Sequence, residues 1–220
     1  MTKHFILPDI QARPGLNFDY LERYGEYVVD KKPDVIVCLG DFVDMASLSS
    51  FDVGKRASEG RRYHDDIEAS IEAMTRFLAP LKRFNEKAIK NKEKRYHPRM
   101  VLTLGNHENR IDRACQENAK LHGTLSVDDL RYEDFGWEVI PFLEVITIDG
   151  VAYSHYFISG TKGNAICTAQ SMITKLHMSC IAGHLQGKRI AMDKYPDGRR
   201  FTCIIVGSAY EHEEEYLGPQ

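Results

Sequence analysis

Two short apolar runs, Val35-Ile36-Val37-Cys38-Leu39 and Met100-Val101-Leu102-Thr103-Leu104, each end in a glycine that is followed by metal-binding residue types. Five apolar or β-branched residues that stop at Gly predict a buried strand. The fragments Gly40-Asp41-Phe42-Val43-Asp44 and Gly105-Asn106-His107-Glu108 then lie in turns at strand carboxyl ends. Those ends are where α/β sheets place their ligand sites. Carboxylate, amide and imidazole delivered there by separate strands suit a hard divalent cation.

Strand–helix units surround these runs in the first part of the chain. His4 to Leu7 predicts a first strand that delivers Pro8-Asp9-Ile10-Gln11 to its end. Asn17 or Asp19 can cap a helix to about Lys32, which Pro33 stops. Apolar residues at spacings of three and four predict a long helical segment from about Tyr63 to Glu93. Pro80 is expected to kink it or to mark a junction of two helices. A further helix follows Asn106 to about Leu121. From Trp137 the pattern turns to period two, with runs at 137–140, 143–148 and 151–156. A helix from about Lys162 to His177, a strand at 179–182 and a hairpin closed by Pro196-Asp197-Gly198 complete the chain. The expected fold class is α/β, a two-sheet sandwich flanked by helices, as one domain over 1–220 with a weakly structured acidic tail at 209–220.

Composition narrows the function classes. Hydrophobic content of 43% and charged content of 28% are those of an ordinary globular chain. A formal charge of -3 argues against a globally basic nucleic-acid binder. The five cysteines form no CxxC pair and leave one over, which predicts reduced thiols and a cytoplasmic setting. The start of the sequence lacks the apolar core of a signal peptide, and no 18-residue apolar stretch occurs, so no membrane span is expected. Lys82 to Arg99 holds eight Lys or Arg against two Glu, which reads first as a solvated helix face.

Taken together, Asp9-Ile10-Gln11, Gly40-Asp41-Phe42-Val43-Asp44, Gly105-Asn106-His107-Glu108, His155 at a strand end and Gly183-His184-Leu185-Gln186 resemble, in order, the five blocks of the calcineurin-like metallophosphoesterase superfamily. The resemblance implies layers of α-β-β-α and two divalent ions about 3.5–4 Å apart that clamp a phosphate ester and acidify a water. It assigns Asp41 as the shared carboxylate, and Asn106, His155 and His184 to the second ion. Asp9, Asp41 and the residues at 11 and 186 fall to the first. His107 is implied as the group that assists the leaving alkoxide, oriented by Asp44. Arg110, Lys55 and Arg56 are candidate substrate contacts, with an exposed structural role as the alternative for each.

Gln11 and Gln186 depart from the family pattern, which has His at both places. A Gln carbonyl is a neutral, harder donor than imidazole, so the first site shifts toward oxygen ligands and Mn²⁺, with Mg²⁺, Ca²⁺ or Zn²⁺ as alternatives. That site is also expected to be the weaker one. Similar Asp-x-Gln openings occur among small bacteriophage-type members, which would put the protein in a host cytoplasm. The expected activity is hydrolysis of a nucleotide or nucleic-acid phosphodiester. Its alternatives are a phosphomonoesterase or phosphoprotein phosphatase, and a non-catalytic phosphate-binding member. The oligomeric state has no signature in the sequence.

Overall fold

Four parallel strands, β1 (His4–Leu7), β2 (Val35–Cys38), β3 (Arg99–Thr103) and β4 (Glu138–Ile140), pair in that order in the computed structural model, which describes residues 2–50, 54–160 and 163–211. Every residue of β2 is buried, and its side chains divide between two cores. Ile36 and Cys38 face a cluster that includes Leu21, Val28, Met74 and Phe77 from the helices. Val35 and Val37 join Leu39, Val101, Ile148 and Tyr153 in the second cluster. Ile148 and Tyr153 belong to the other sheet, so this second cluster is the interior of a sandwich.

The helical layer over the first sheet is α1 (Asp19–Lys31) against α2 (Tyr63–Lys90). Gly25 marks their closest approach: a Cβ there would lie 2.2 Å from the carbonyl oxygen of Phe77 and 2.9 Å from the Pro80 ring. Pro80 does not divide the segment, and α2 runs through it as one helix. Phe77 and Pro80 are both buried, so packing against α1 covers the turn where proline removes a hydrogen bond. Trp137 stacks on Phe77 and donates its Nε1–H to Met74 Sδ at 3.2 Å, closing this core from below β4.

The second sheet contains β5 (Ile146–Ile148), β6 (Val151–Tyr153), β9 (Ser179–Ala182), β10 (Arg189–Lys194) and β11 (Arg200–Ile205), in the order β10-β11-β9-β6-β5. Between β6 and β9 the chain forms a two-stranded hairpin, β7 (Ile158–Ser159) with β8 (Asn164–Ala165), and then α4 (Ala169–Leu176). Met172 and Ile173 of α4 pack on Cys180, Phe201 and Cys203, so helices cover both outer faces and the layers are α-β-β-α. All five cysteines are free, and no helix among the described residues is long and apolar enough to cross a membrane.

Several boundaries differ from the sequence expectation, each for a local reason. The helix expected from Lys162 begins at Ala169, because Thr168 Oγ1 accepts from Ser171 N and caps it, while the preceding residues pair as β7–β8. Residues 161–162 lie outside the described residues. The helix after Asn106, α3 (Asn109–Glu117), stops where the Asn118 side chain caps a separate 3-10 turn at Ala119–Leu121. Asn17 holds the start of α1 by accepting from Asp19 N, with Phe18 in the cap position. Of the expected acidic tail, 212–220 lie outside the described residues, and 209–211 return to the first strand's end.

Candidate metal centre

Five strands deliver polar residues to one end of the sandwich. Asp9 follows β1, Asp41 follows β2 and Asn106 follows β3, while His155 and His184 follow β6 and β9 of the other sheet. The loops interlock through the backbone. Gln11 N–H donates to Asp41 O (2.8 Å), Gly183 N–H to His155 O (2.9 Å) and Ala209 N–H to Asp9 O (3.1 Å). Gly105 must be glycine here, since a Cβ would stand 2.2 Å from Asp41 Oδ1 and 2.4 Å from its amide nitrogen. Gln11, Asp41, His184 and Gln186 all hold left-handed φ angles, between 49° and 68° apart from 47° at Asp41. Strained backbone of this kind persists where surrounding structure fixes it, and it clusters at working sites.

Asp41, His155 and His184 each turn a ligand atom into one space, all within 4.8 Å of one another. His155 is fully buried, and its Nδ1 faces the carbonyl oxygen of Leu39 at 2.7 Å, which fixes a proton on that nitrogen. Its Nε2 therefore points at two acceptors, Asn106 Oδ1 (2.9 Å) and Asp41 Oδ2 (3.2 Å). Three electron-pair donors aimed at one another need a positive charge among them. Nearby, Asp9 is fully buried, with Oδ1 accepting from His184 N (3.2 Å) and Oδ2 left without a partner. An orphaned buried carboxylate oxygen costs free energy that a cation would recover. The donor set fits divalent ions.

The titration behaviour follows from the same crowding. Burial pushes the Asp9 carboxyl up to about 7, with the charge of Asp41 adding to the rise and His155 opposing it. Burial would also raise Asp41, but His107 and His155 outweigh it and hold that carboxyl below its usual range. Burial disfavours a charged His155, yet Asp41 and Asp9 lift it to about 9. Burial and the charge on His155 bring His184 down to about 4. A metal-ligating imidazole must be unprotonated, so a bound cation takes the place of the His155 proton.

A second cluster borders the ligands. His107 Nδ1 lies 3.0 Å from Asp44 Oδ1, and its Nε2 lies 3.7 Å from Asp41 Oδ2. Burial opposes a charged His107, but Asp41 and Asp44 raise its pKa. Arg110 donates to Asp44 O (2.7 Å) and reaches His107 Nε2 at 3.2 Å, while Arg13 stands 3.8 Å from Asp44 Oδ2. Lys55 and Arg56 occupy an exposed loop and 3-10 turn after Asp44, so the guanidinium groups beside His107 and Asp44 are those of Arg110 and Arg13.

Gln11 is buried at the end of β1, and Gln186 Oε1 accepts from the hydroxyl of Tyr210 at 2.9 Å. Sequence reasoning quoted Glu108 in its motif but gave it no role. Its carboxylate is fully buried and accepts from Asp41 N (2.9 Å), Phe42 N (2.8 Å), Val43 N (3.3 Å) and Gly105 N (2.9 Å). One side chain thus ties together the two loops that carry Asp41 and Asn106. Burial pushes its pKa up, and these donors favour the ionised form. Arg13, Tyr210 and Glu108 were hidden from the sequence for one reason: each acts through a contact distant along the chain.

A two-sheet sandwich whose strand ends assemble buried carboxylates, an amide and two histidines defines a metal-dependent phosphoric ester hydrolase. The family model of the calcineurin-like phosphoesterases matches residues 5–179, and the chain belongs to that family. The Gly183–Gln186 block lies just beyond the matched span. Among curated proteins no sequence matches it.

Proposed function

We propose that the protein is a phosphodiesterase acting on a nucleotide or nucleic-acid phosphodiester, working with Mn²⁺ in a reducing cytoplasm. The observation that carries this reading is the His107–Asp44–Arg110 cluster set directly against the Asp41, His155 and His184 ligand group. The second site would be held by Asp41, Asn106, His155 and His184, and the first by Asp9 and Asp41 with the amides of Gln11 and Gln186. Bound divalent ions supply charge neutralisation on the phosphoryl oxygens and lower the pKa of a coordinated water.

The chain's own residues do the rest. Asp44 Oδ1 lies 3.0 Å from His107 Nδ1 and orients the ring; Nε2 here accepts from Arg110 Nη2 (3.2 Å), so a phosphate that draws Arg110 to itself would let a protonated Nε2 pass its proton to the departing ester oxygen. Arg110 and Arg13 add positive charge where the phosphate oxygens gather. A purely phosphate-binding role has no use for a proton donor aligned by a carboxylate, and the 3.0 Å pair speaks against it.

The test is to strip the protein with a chelator and reload it with Mn²⁺, Mg²⁺, Ca²⁺ or Zn²⁺. Turnover of bis-p-nitrophenyl phosphate is then compared with that of p-nitrophenyl phosphate. Faster cleavage of the diester is expected, with Mn²⁺ the best ion. Faster cleavage of the monoester would make the protein a phosphomonoesterase, and no turnover with any ion would leave it a phosphate-binding protein.

A further inference from the structure

The ligand group is bordered by aromatic side chains for which phosphoryl transfer has no need. Tyr156 directly follows the ligand His155, and its ring centroid lies 4.7 Å from that of His184 and 5.6 Å from that of His155. Phe142 meets Tyr156 edge-on, with centroids 5.6 Å apart and planes at 83°. Both rings are only half-buried. Phe142 sits in the turn after β4, the one strand of the parallel sheet whose end supplies no ligand. Where β1, β2 and β3 deliver Asp9, Asp41 and Asn106, β4 delivers Pro141-Phe142-Leu143-Glu144-Val145. Leu143 is 37% exposed and Val145 53%, so the turn presents apolar surface to solvent.

An ion needs oxygen and nitrogen donors, and a phosphate needs positive charge. A half-buried aromatic pair, of which Tyr156 is one residue from a ligand, serves a different part of the substrate: a flat, weakly polar ring joined to the phosphate through a short linker. We infer that Tyr156 and Phe142 form a wall against which the substrate's nucleobase stacks while the neighbouring ligand group takes the attached phosphate. This rests on the nucleotide phosphodiester reading above and names the residues that select for a base. Stacking on an aromatic side chain tolerates any base, because every base has a π-face. The wall therefore selects nucleotides over simple phosphate esters without selecting a sequence.

The probes are the methylenephosphonate analogues of AMP and of ribose 5-phosphate, whose C–P bond resists ester hydrolysis and which differ only by the base. Calorimetric titration of the Mn²⁺-loaded protein is expected to show the adenosine analogue binding about tenfold more tightly. That preference should fall to near unity in Tyr156→Ala and in Phe142→Ala, with Mn²⁺ binding unchanged, and survive in Tyr156→Phe, which keeps the ring. Should Tyr156→Ala fail to fold, Tyr156→Leu fills the space without an aromatic face. Equal affinity of the two analogues for the native protein, binding of neither, or a preference that persists in both alanine variants would overturn the wall. Its failure is separable from that of the hydrolytic reading. Diester turnover without a base preference sinks the wall alone, and a base preference without turnover sinks the hydrolytic reading alone.

Discussion

Single residues divide here into those that would touch the reacting atoms and those that hold the touching residues in place. On the proposed reading His107 is of the first kind: Nδ1 lies 3.0 Å from Asp44 Oδ1 and Nε2 lies 3.7 Å from Asp41 Oδ2. His107→Asn keeps the polar fill and donates no proton at neutral pH, so turnover of the reloaded protein should drop roughly 10²–10⁴-fold. Calorimetric Mn²⁺ binding should stay within error, and loss of binding would instead make His107 part of the ligand frame. Glu108 is of the second kind. In Glu108→Gln, one oxygen becomes an NH₂ group facing backbone N–H donors that had a partner. Relief of its repulsion with Asp41 works the other way, but stranding a buried donor costs about 1–3 kcal/mol. Urea unfolding should show a net loss of that order, and Mn²⁺ affinity should fall with it because the Asp41 and Asn106 loops lose their shared tie. The gathering of Asp9, Asp41, Asn106, His155 and His184 at one end of the sandwich was legible in the sequence because each stands just after a strand-ending apolar run. The tie was not legible, since a Glu three residues past Gly105 reads as an ordinary residue of a helix's first turn.

Secondary-structure elements were legible where one periodicity ran without interruption. The strands at 4–7, 35–38 and 179–182 and the long helix from Tyr63 fall where the apolar pattern puts them. Expectations slipped where a side chain decided the boundary, as Thr168 does at α4 and Asn118 does after α3. Pro80 does not end the helix, for a tertiary reason. A proline costs a helix interior roughly 3 kcal/mol, but here the turn that contains it is buried against α1 at Gly25. The contact yields a prediction at the scale of the helix pair. Gly25→Ala would gain about 1 kcal/mol of helix propensity. Its new methyl meets the Phe77 carbonyl oxygen at 2.2 Å, and backbone inside a helix does not yield cheaply. Overpacking typically costs about 1–3 kcal/mol, so the clash wins and the urea midpoint should fall. A midpoint that rises would mean that α1 and α2 separate more easily than their buried faces imply.

At the scale of the whole molecule, the site is a joint between the two sheets. Asp9, Asp41 and Asn106 come from the parallel sheet, His155 and His184 from the mixed one, and His155 Nε2 facing Asn106 and Asp41 and His184 N–H donating to Asp9 are among the contacts that span them. Ions bound at this joint would contact both halves of the sandwich at once and bind the folded chain far better than the unfolded one. Stability must then rise with ion concentration, by about 2.7 kcal/mol at a hundredfold excess over the dissociation constant of a single site. The two sites should not contribute alike. On the proposed assignment, Asn106, His155 and His184 would furnish one with a mixed shell around Asp41, while the other would combine Asp9 with amides, of which Gln186 is engaged by Tyr210. Thermal melts of chelated protein titrated with Mn²⁺ should therefore rise in two stages, a steep one at low concentration and a shallow one at much higher concentration. Replacing Tyr210 by Phe removes the hydroxyl that donates to Gln186 Oε1 without removing the ring, so it should shift the second stage and leave the first unchanged. A single stage with two equivalent ions would show that the glutamines bind as strongly as the histidines they replace, and that the asymmetry read from positions 11 and 186 has no thermodynamic weight.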